Sequence, residues 1–332
     1  MTQVNVALLG FGNVGRAFAR YVSSDAVLQA PRIDIRAIAD SSGALFIDED
    51  LSLQRLIAHK ESGRKLGEVA PARFTDAREF IRALPSVGVT VLIESLPTNI
   101  SNGEPASTLI AEALFQKINV VSVDKGPVVH YLNDLLEIAT KRGVRLGYSG
   151  TTGVTIPDDI GDDRVLEIRG VLNGTTNYIL TEMQQHQRSF EDALATAQAE
   201  GIAEPDPSLD IEGWDTASKI LILAKSLMKA TARLDEVSRI GIGPQTESLI
   251  QVARTSGRVV RLVGRARIWQ GRVRVSVAPK LIGAEAPFYE ISGASKAATF
   301  RTEGRGQVLS LARSGRDAIS QTILDDIIRV SM

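Results

Sequence analysis

Val4-Asn5-Val6-Ala7-Leu8-Leu9, followed at once by Gly10-Phe11-Gly12-Asn13-Val14-Gly15, is the stretch that decides the fold. The first six residues form a short, mostly apolar run with β-branched Val4 and Val6, the signature of a buried strand. The next six fit G-x-G-x-x-G and open a segment, Val14–Val22, with helical spacing. Alone, such a glycine pattern is weak; between a strand and a helix it describes a dinucleotide-binding turn. Gly10 permits the tight turn, Gly12 lets the backbone approach a pyrophosphate, and Gly15 lets helix and strand pack closely. The helix start adds N–H donors and a positive partial charge. A glycine turn that serves packing alone is the alternative.

Working outward, Ile33–Ala39 is a second strand-like run, and Asp40 ends it. A carboxylate there accepts from both ribose hydroxyls and repels a 2′-phosphate. It also suits a turn cap. Ser41 and Ser42 follow, with no adjacent Arg to clamp a phosphate, so NAD is favoured over NADP. Val89–Glu94 and Asn119–Val123 read as further strands, and Glu104–Lys117 and Val128–Arg142 as helices. This alternation predicts a parallel sheet with right-handed crossovers, a Rossmann-type domain over residues 1–130. The second half changes character. Arg164–Leu172 is strand-like, Thr176–Gln187, Phe190–Gly201 and Gly213–Leu227 are helix-like, and two strands, Arg258–Trp269 and Arg272–Pro279, join at Gln270-Gly271. The alternation Arg272-Val273-Arg274-Val275-Ser276-Val277 gives that strand one buried and one wet face. Residues 131–315 are therefore expected to form an α+β domain, and 316–332 a helix returning to the first domain. The fold class is α/β with this second domain appended.

Bulk properties agree with a two-domain enzyme. The chain has 332 residues, 44% hydrophobic and 23% charged, with a net charge of −1. That length exceeds one ordinary core. A balanced charge offers no field for nucleic acid or anionic lipid. Cysteine is absent, which excludes disulfides and thiolate metal sites. The start MTQVNVALLGFG lacks the basic and long apolar parts of a signal peptide. No run approaches the roughly 20 apolar residues of a membrane helix. A cytoplasmic location is expected.

Three segments carry candidate chemistry. Glu204-Pro205-Asp206-Pro207-Ser208-Leu209-Asp210 is acidic, and Asp215 and Lys219 follow four apart, on one helix face. By spacing alone that pair is a solvated surface pair. The acidic loop lacks the pattern of a calcium loop. Asn173-Gly174-Thr175-Thr176-Asn177-Tyr178 joins a strand to a helix and offers hydroxyls and N–H groups for a carboxylate, or a simple cap. Val123-Asp124-Lys125-Gly126-Pro127 ends a parallel strand, where open α/β sheets bind ligands; a salt bridge is Lys125's plainer reading.

From Gly10 to about Asp326 the chain resembles the homoserine dehydrogenase family. The resemblance is strongest in Gly170-Val171-Leu172-Asn173-Gly174-Thr175-Thr176-Asn177-Tyr178-Ile179-Leu180. It continues in Gly201-Ile202-Ala203-Glu204-Pro205-Asp206-Pro207 with Asp210, Gly213, Asp215 and Lys219, and in Ala39-Asp40-Ser41-Ser42-Gly43. It implies reversible NAD(P)H-dependent reduction of L-aspartate 4-semialdehyde to L-homoserine. It also implies a second domain that binds substrate and dimerises, hence a homodimer. Catalytic roles fall to Lys219, Asp215 and Lys125. Gly10, Phe11, Gly12, Asn13, Val14, Gly15, Asp40, Thr98, Lys125 and Gly306 fall at the cofactor. Gly174, Thr175, Glu204, Asp210, Asp215 and Lys125 fall at the substrate. Glu204 is implied to take the amino group, and Lys219, held by Asp215, to transfer the proton at oxygen.

Departures exist. Asp124 stands where the family usually has Asn. Ser149 stands at the position of a Glu that helps to hold a monovalent cation, so a specific cation is expected to be absent or weak and no metal is assigned. Gly304-Arg305-Gly306 lacks the usual continuation. A divergent enzyme for another small amino or hydroxy acid, or a non-catalytic NAD-sensing protein, are the competing readings. With the chain ending at Met332, no extra module for allosteric inhibition by threonine is expected.

Overall fold

A computed structural model describes residues 3–24, 32–48, 51–69, 73–312 and 317–332. The chain forms two compact units, Met1–Thr151 with Gly315–Met332, and Thr152–Ser314. The expected boundary at 315/316 lies outside the described residues.

The first unit follows the order β1 (Gln3–Leu9), α1 (Asn13–Val22), β2 (Arg32–Asp40), β3 (Gly43–Phe46), α2 (Leu53–Glu61), α3 (Ala77–Ala83), β4 (Val91–Glu94), α4 (Ala106–Phe115), β5 (Asn119–Ser122), α5 (Lys125–Arg142) and β6 (Leu146–Gly147). Its sheet runs β3-β2-β1-β4-β5-β6, parallel except for the antiparallel edge β3. β1 lies between β2 and β4, so the chain reverses direction across the sheet beside β1. A crevice opens at the strand ends there. β1 is buried from Val6 to Leu9, as a strand covered on both faces must be. The sheet continues past residue 130, because β6 pairs with β5 and carries the unit to Thr151.

The second unit contains β7 (Val165–Val171), α6 (Gly174–Gln185), α7 (Phe190–Ala199), α8 (Ser208–Ile211), α9 (Trp214–Met228), β8 (Ser238–Arg239), α10 (Thr246–Thr255), β9 (Val259–Trp269), β10 (Arg272–Ile282), β11 (Ala297–Thr302) and β12 (Gly306–Leu311). Its mixed sheet runs β12-β11-β7-β9-β10-β8. In β10, Val275 and Val277 are buried while Arg272 and Arg274 are exposed, as the alternation requires. The hairpin β11–β12 adds two strands that the sequence pattern did not suggest.

The last helix, α11 (Ala318–Ser331), belongs to the first unit. Its Ile323, Leu324, Ile327 and Val330 join the core made by Val6, Leu8, Phe18, Ile38, Ile93 and Val121. No described helix is long and apolar enough to cross a membrane.

Candidate active site

In the first unit the glycine turn divides into packing and open positions. Gly10 has φ +107°, and a Cβ on it would lie 2.5 Å from the Ser95 carbonyl oxygen. A Cβ on Gly15 would lie 2.3 Å from the Gly10 oxygen. These two are glycine because the fold leaves no room. Gly12, at the start of α1, is different: a Cβ there meets nothing within 4 Å. It faces a cleft of about 650 Å³ lined by Gly10, Phe11, Asn13, Val14, Asp40 and Ser41, among others. An open glycine at a helix N-terminus is a cradle that fits a dinucleotide pyrophosphate.

Asp40 lines this cleft, but its oxygens are engaged. Oδ1 accepts from the Ser42 amide at 2.7 Å and the Ser42 hydroxyl at 2.5 Å, an Asx turn; Oδ2 accepts from Lys60 Nζ at 2.6 Å. The Asp40 side chain is only 6% exposed. Burial works to raise its carboxyl, yet the bonds from Lys60 and Ser42 prevail and it lies below its ordinary value. Asp40 thus acts as the turn cap that the sequence offered as its alternative. Lys60, Arg16 and Arg64 line the same cleft and escaped the sequence reading, since only Asp40 has a fixed place in the motif.

Thr98, Asp124 and Lys125 gather at the ends of β4 and β5. Asp124 caps α5, its Oδ1 accepting from the Gly126 amide at 2.9 Å. Burial raises the Asp124 carboxyl, opposed by the Gly126 amide, the Thr98 hydroxyl and the Lys125 charge. Beside it stands Glu94, fully buried, which accepts from Ser122 Oγ at 2.6 Å and the Leu96 amide at 2.8 Å. Desolvation, then the charge of Asp124, pushes Glu94 up to about 8. Sequence reading passed over Glu94 because it ends an ordinary-looking strand.

In the second unit the substrate-type residues assemble around Asn173. As the cap of α6 it accepts from the Thr176 amide at 2.8 Å through Oδ1. Its Nδ2 donates to Asp210 Oδ1 at 2.6 Å and to Asp215 Oδ2 at 2.9 Å. Lys219 Nζ donates to Asp215 Oδ2 at 2.6 Å and to the Leu172 carbonyl at 2.9 Å. Both side chains of the Asp215–Lys219 pair are 12% exposed, so spacing alone misjudged it as a surface pair. Burial, then the Asp215 charge, raises the Asp210 carboxyl; Asn173, Thr175 and Lys219 oppose this. Thr175 donates to the Ile202 carbonyl at 3.1 Å, tying the start of α6 to the residues before Glu204. Glu204 is exposed, on a loop fastened by Gln198 Nε2, which donates to the carbonyls of Glu204 and Pro205. Gly306 stands apart from this network. It begins β12 with φ +74°, and hairpin geometry alone accounts for a glycine there. Ser149, in the first unit, acts as a donor: its amide and hydroxyl reach the buried Asp326 carboxylate at 2.8 and 2.7 Å.

A buried ammonium held by a carboxylate, with a second carboxylate beside it, suits proton transfer at an alcohol or aldehyde oxygen. Comparisons with known proteins agree with that chemistry. The family model described as homoserine dehydrogenase matches residues 155–328. A homoserine dehydrogenase of Methanocaldococcus jannaschii is 33% identical over 98% of each chain. An NAD(+)-dependent homoserine dehydrogenase of Pseudomonas canavaninivorans is 30% identical over 99% of this chain and 97% of that protein. Among solved structures, the homoserine dehydrogenase of Thiobacillus denitrificans superposes with a TM-score of 0.81 at 25% identity, covering 100% of this chain and 74% of that one. From its sequence and its fold alike, the chain belongs to the homoserine dehydrogenase family.

Proposed function

We propose that Lys219, held by Asp215, moves the proton in the interconversion of L-aspartate 4-semialdehyde and L-homoserine. This is the NAD(P)-dependent reaction of the family, on a CH–OH group, and it serves threonine and methionine biosynthesis. The network of Asn173, Asp210, Asp215 and Lys219 carries the assignment. When bound, the nicotinamide gives or takes the hydride at the carbon that bears the oxygen. As an aldehyde becomes an alcohol, negative charge grows on its oxygen. The Lys219 ammonium stabilises that charge and donates the proton. Asp215 and the Leu172 carbonyl fix the direction of Nζ, so little reorganisation is needed at the moment of transfer. Glu204 and Asp210 take the substrate ammonium. Gly174 and Thr175 complete the substrate contacts. Thr98 and Lys125 join the glycine turn in serving the cofactor.

For the cofactor, NAD is favoured, because Asp40 ends β2 where a carboxylate disfavours a 2′-phosphate. One observation favours NADP as a second reading. Lys60 offsets the charge of Asp40, and Arg16 and Arg64 line the same cleft. Steady-state oxidation of homoserine at alkaline pH with each cofactor decides between them. Turnover with NAD at the higher kcat/KM supports the first reading, and preference for NADP that falls in Lys60→Ala supports the second. In the same assay Glu204→Ala raises KM for homoserine. An unchanged KM removes Glu204 from the substrate site.

The protein is further proposed to be a cytoplasmic homodimer formed through the second unit's sheet. Its edge strand β12 exposes Leu309 and Leu311, an unprotected edge of the kind that pairs with another chain. A monomer in sedimentation at micromolar concentration is incompatible with this assembly.

A further inference from the structure

The motif Asn173–Tyr178 holds one residue that the reaction above leaves unused. Asn177 is fully buried on α6, and the two N–H groups of its Nδ2 are shared among three carbonyls of one loop: Ile291 at 3.2 Å, Gly293 at 2.9 Å and Ser295 at 3.2 Å. From the same helix, Thr181 Oγ1 accepts from the Gly293 amide at 3.1 Å. A Cβ on Gly174 would lie 2.8 Å from the Ala294 oxygen, so the loop presses against the first turn of α6. An amide buried this deeply and spent on backbone carbonyls fixes the loop in one conformation. The residue that the loop then delivers is Lys296.

Lys296 Nζ lies 3.1 Å from where a Cβ of Gly153 would stand, and Lys219 Cε and Nζ lie 3.9 Å from the same point. Gly153 has φ +67° and no side chain, and a Cβ there would crowd Lys296 Nζ, so the two lysine side chains converge on the Gly153 backbone. Asp215 already pairs with Lys219, and Lys296 adds a second ammonium to the cluster, which favours a further anion beside it. Homoserine has a carboxylate four bonds from its hydroxyl oxygen. With that oxygen at Lys219, its carboxylate falls within the reach of a neighbouring cation. A lysine ammonium has three N–H donors, so a partner within the protein leaves donors for a carboxylate.

We propose that Lys296 is a substrate-binding residue that takes the carboxylate of homoserine and of aspartate semialdehyde, positioned by the loop that Asn177 clamps. The inference rests on Lys219 being the residue at the substrate oxygen.

The test compares homoserine with 3-amino-1-propanol, which keeps the hydroxyl and ammonium and lacks the carboxylate. Removing a charge-assisted hydrogen bond to a carboxylate weakens binding by roughly tenfold to a hundredfold. Lys296→Ala and Lys296→Gln are therefore expected to raise KM for homoserine by that factor with kcat nearly kept. Their kcat/KM for 3-amino-1-propanol stays at the wild-type value, so discrimination between the two alcohols collapses. Lys296→Arg restores much of it. If discrimination is unchanged in both neutral variants while Lys219→Ala loses turnover on homoserine, Lys296 does not bind the carboxylate and the role of Lys219 stands. If Lys219→Ala turns over normally, the site assignment itself fails.

Discussion

Replacing Lys219 with alanine separates its chemical role from its structural one. Removing a general acid–base group lowers turnover by roughly 10²–10⁴-fold. The same change strands Asp215 and Asp210 without their cation. Breaking a buried pair costs about 3–5 kcal/mol. Asp215 keeps its bond from Asn173 at 2.9 Å and the pair is 12% exposed, so the low end, about 3 kcal/mol, applies here. In a unit of this size each kcal/mol shifts Tm by about 2–4 °C, which gives a fall of roughly 6–12 °C. The sign with pH follows from linkage. Lys219 lowers the Asp210 carboxyl, so its loss raises that carboxyl further in the folded state. A carboxyl raised on folding leaves stability intact at low pH and takes it away as pH rises. The gap in Tm between wild type and Lys219→Ala should therefore widen from acid to neutral pH. Adding Asp215→Asn removes one of the two stranded charges, and its repulsion of Asp210, with little change of shape, so the double variant recovers part of the lost Tm and stays inactive. Affinity for NADH, read by fluorescence, should not change, because the glycine turn and its cleft are built wholly from the first unit. Wild-type kcat in purified Lys219→Ala, or a Tm gap that narrows as pH rises, refutes the reasoning.

Three further outcomes are expected. Gly12→Ala keeps the Tm of the unliganded protein, since a Cβ meets nothing within 4 Å, but raises KM for the dinucleotide at least tenfold; Gly10→Ala lowers Tm, because its Cβ meets the Ser95 carbonyl at 2.5 Å, and equal effects in the two variants contradict this division. Glu94 titrates from 4.5 in a free chain to about 8 in the fold, so stability is full below about 4.5 and declines as pH rises through about 8, by at most about 1.4 kcal/mol per pH unit; chemical denaturation of Glu94→Gln should lose that slope, and a slope equal to wild type assigns the effect elsewhere. Ser149 donates its amide and hydroxyl to Asp326 rather than offering a carboxylate to a cation, so activity should differ little among sodium, potassium and tetramethylammonium at equal ionic strength; a saturable preference for one small cation overturns that expectation.

Local signals carried the first sheet and much of the site. A glycine turn between strand and helix is specified by adjacent residues, and so is the strand–helix alternation that follows. What escaped depends on partners distant in sequence. β11 begins Ala297-Ala298, which strand propensity disfavours; it is a strand because β7 pairs with one side of it and β12 with the other. β3 is only four residues long and owes its place to β2. Asp40 was legible by position, whereas Lys60, twenty residues later, had no sequence signal linking it to that carboxylate. For Asp215 and Lys219 the spacing was plain but the burial was not, since Asn173 and the Leu172 carbonyl come from another element.

Asp124 shows how a single side chain acquires a physical meaning only in the fold. As the cap of α5 it accepts from the Gly126 amide, a task that an asparagine performs equally well. The carboxylate therefore adds nothing as a cap. What it adds is a charge beside Glu94, which is fully buried on the neighbouring strand. Two carboxyls so placed cannot both ionise cheaply. The fold meets this by raising both carboxyls: Glu94 goes up to about 8 through burial and then the charge of Asp124, and burial raises Asp124 against the Gly126 amide, the Thr98 hydroxyl and the Lys125 charge. Placing asparagine at 124 removes the like charge, so Glu94 titrates lower in Asp124→Asn than in the native chain.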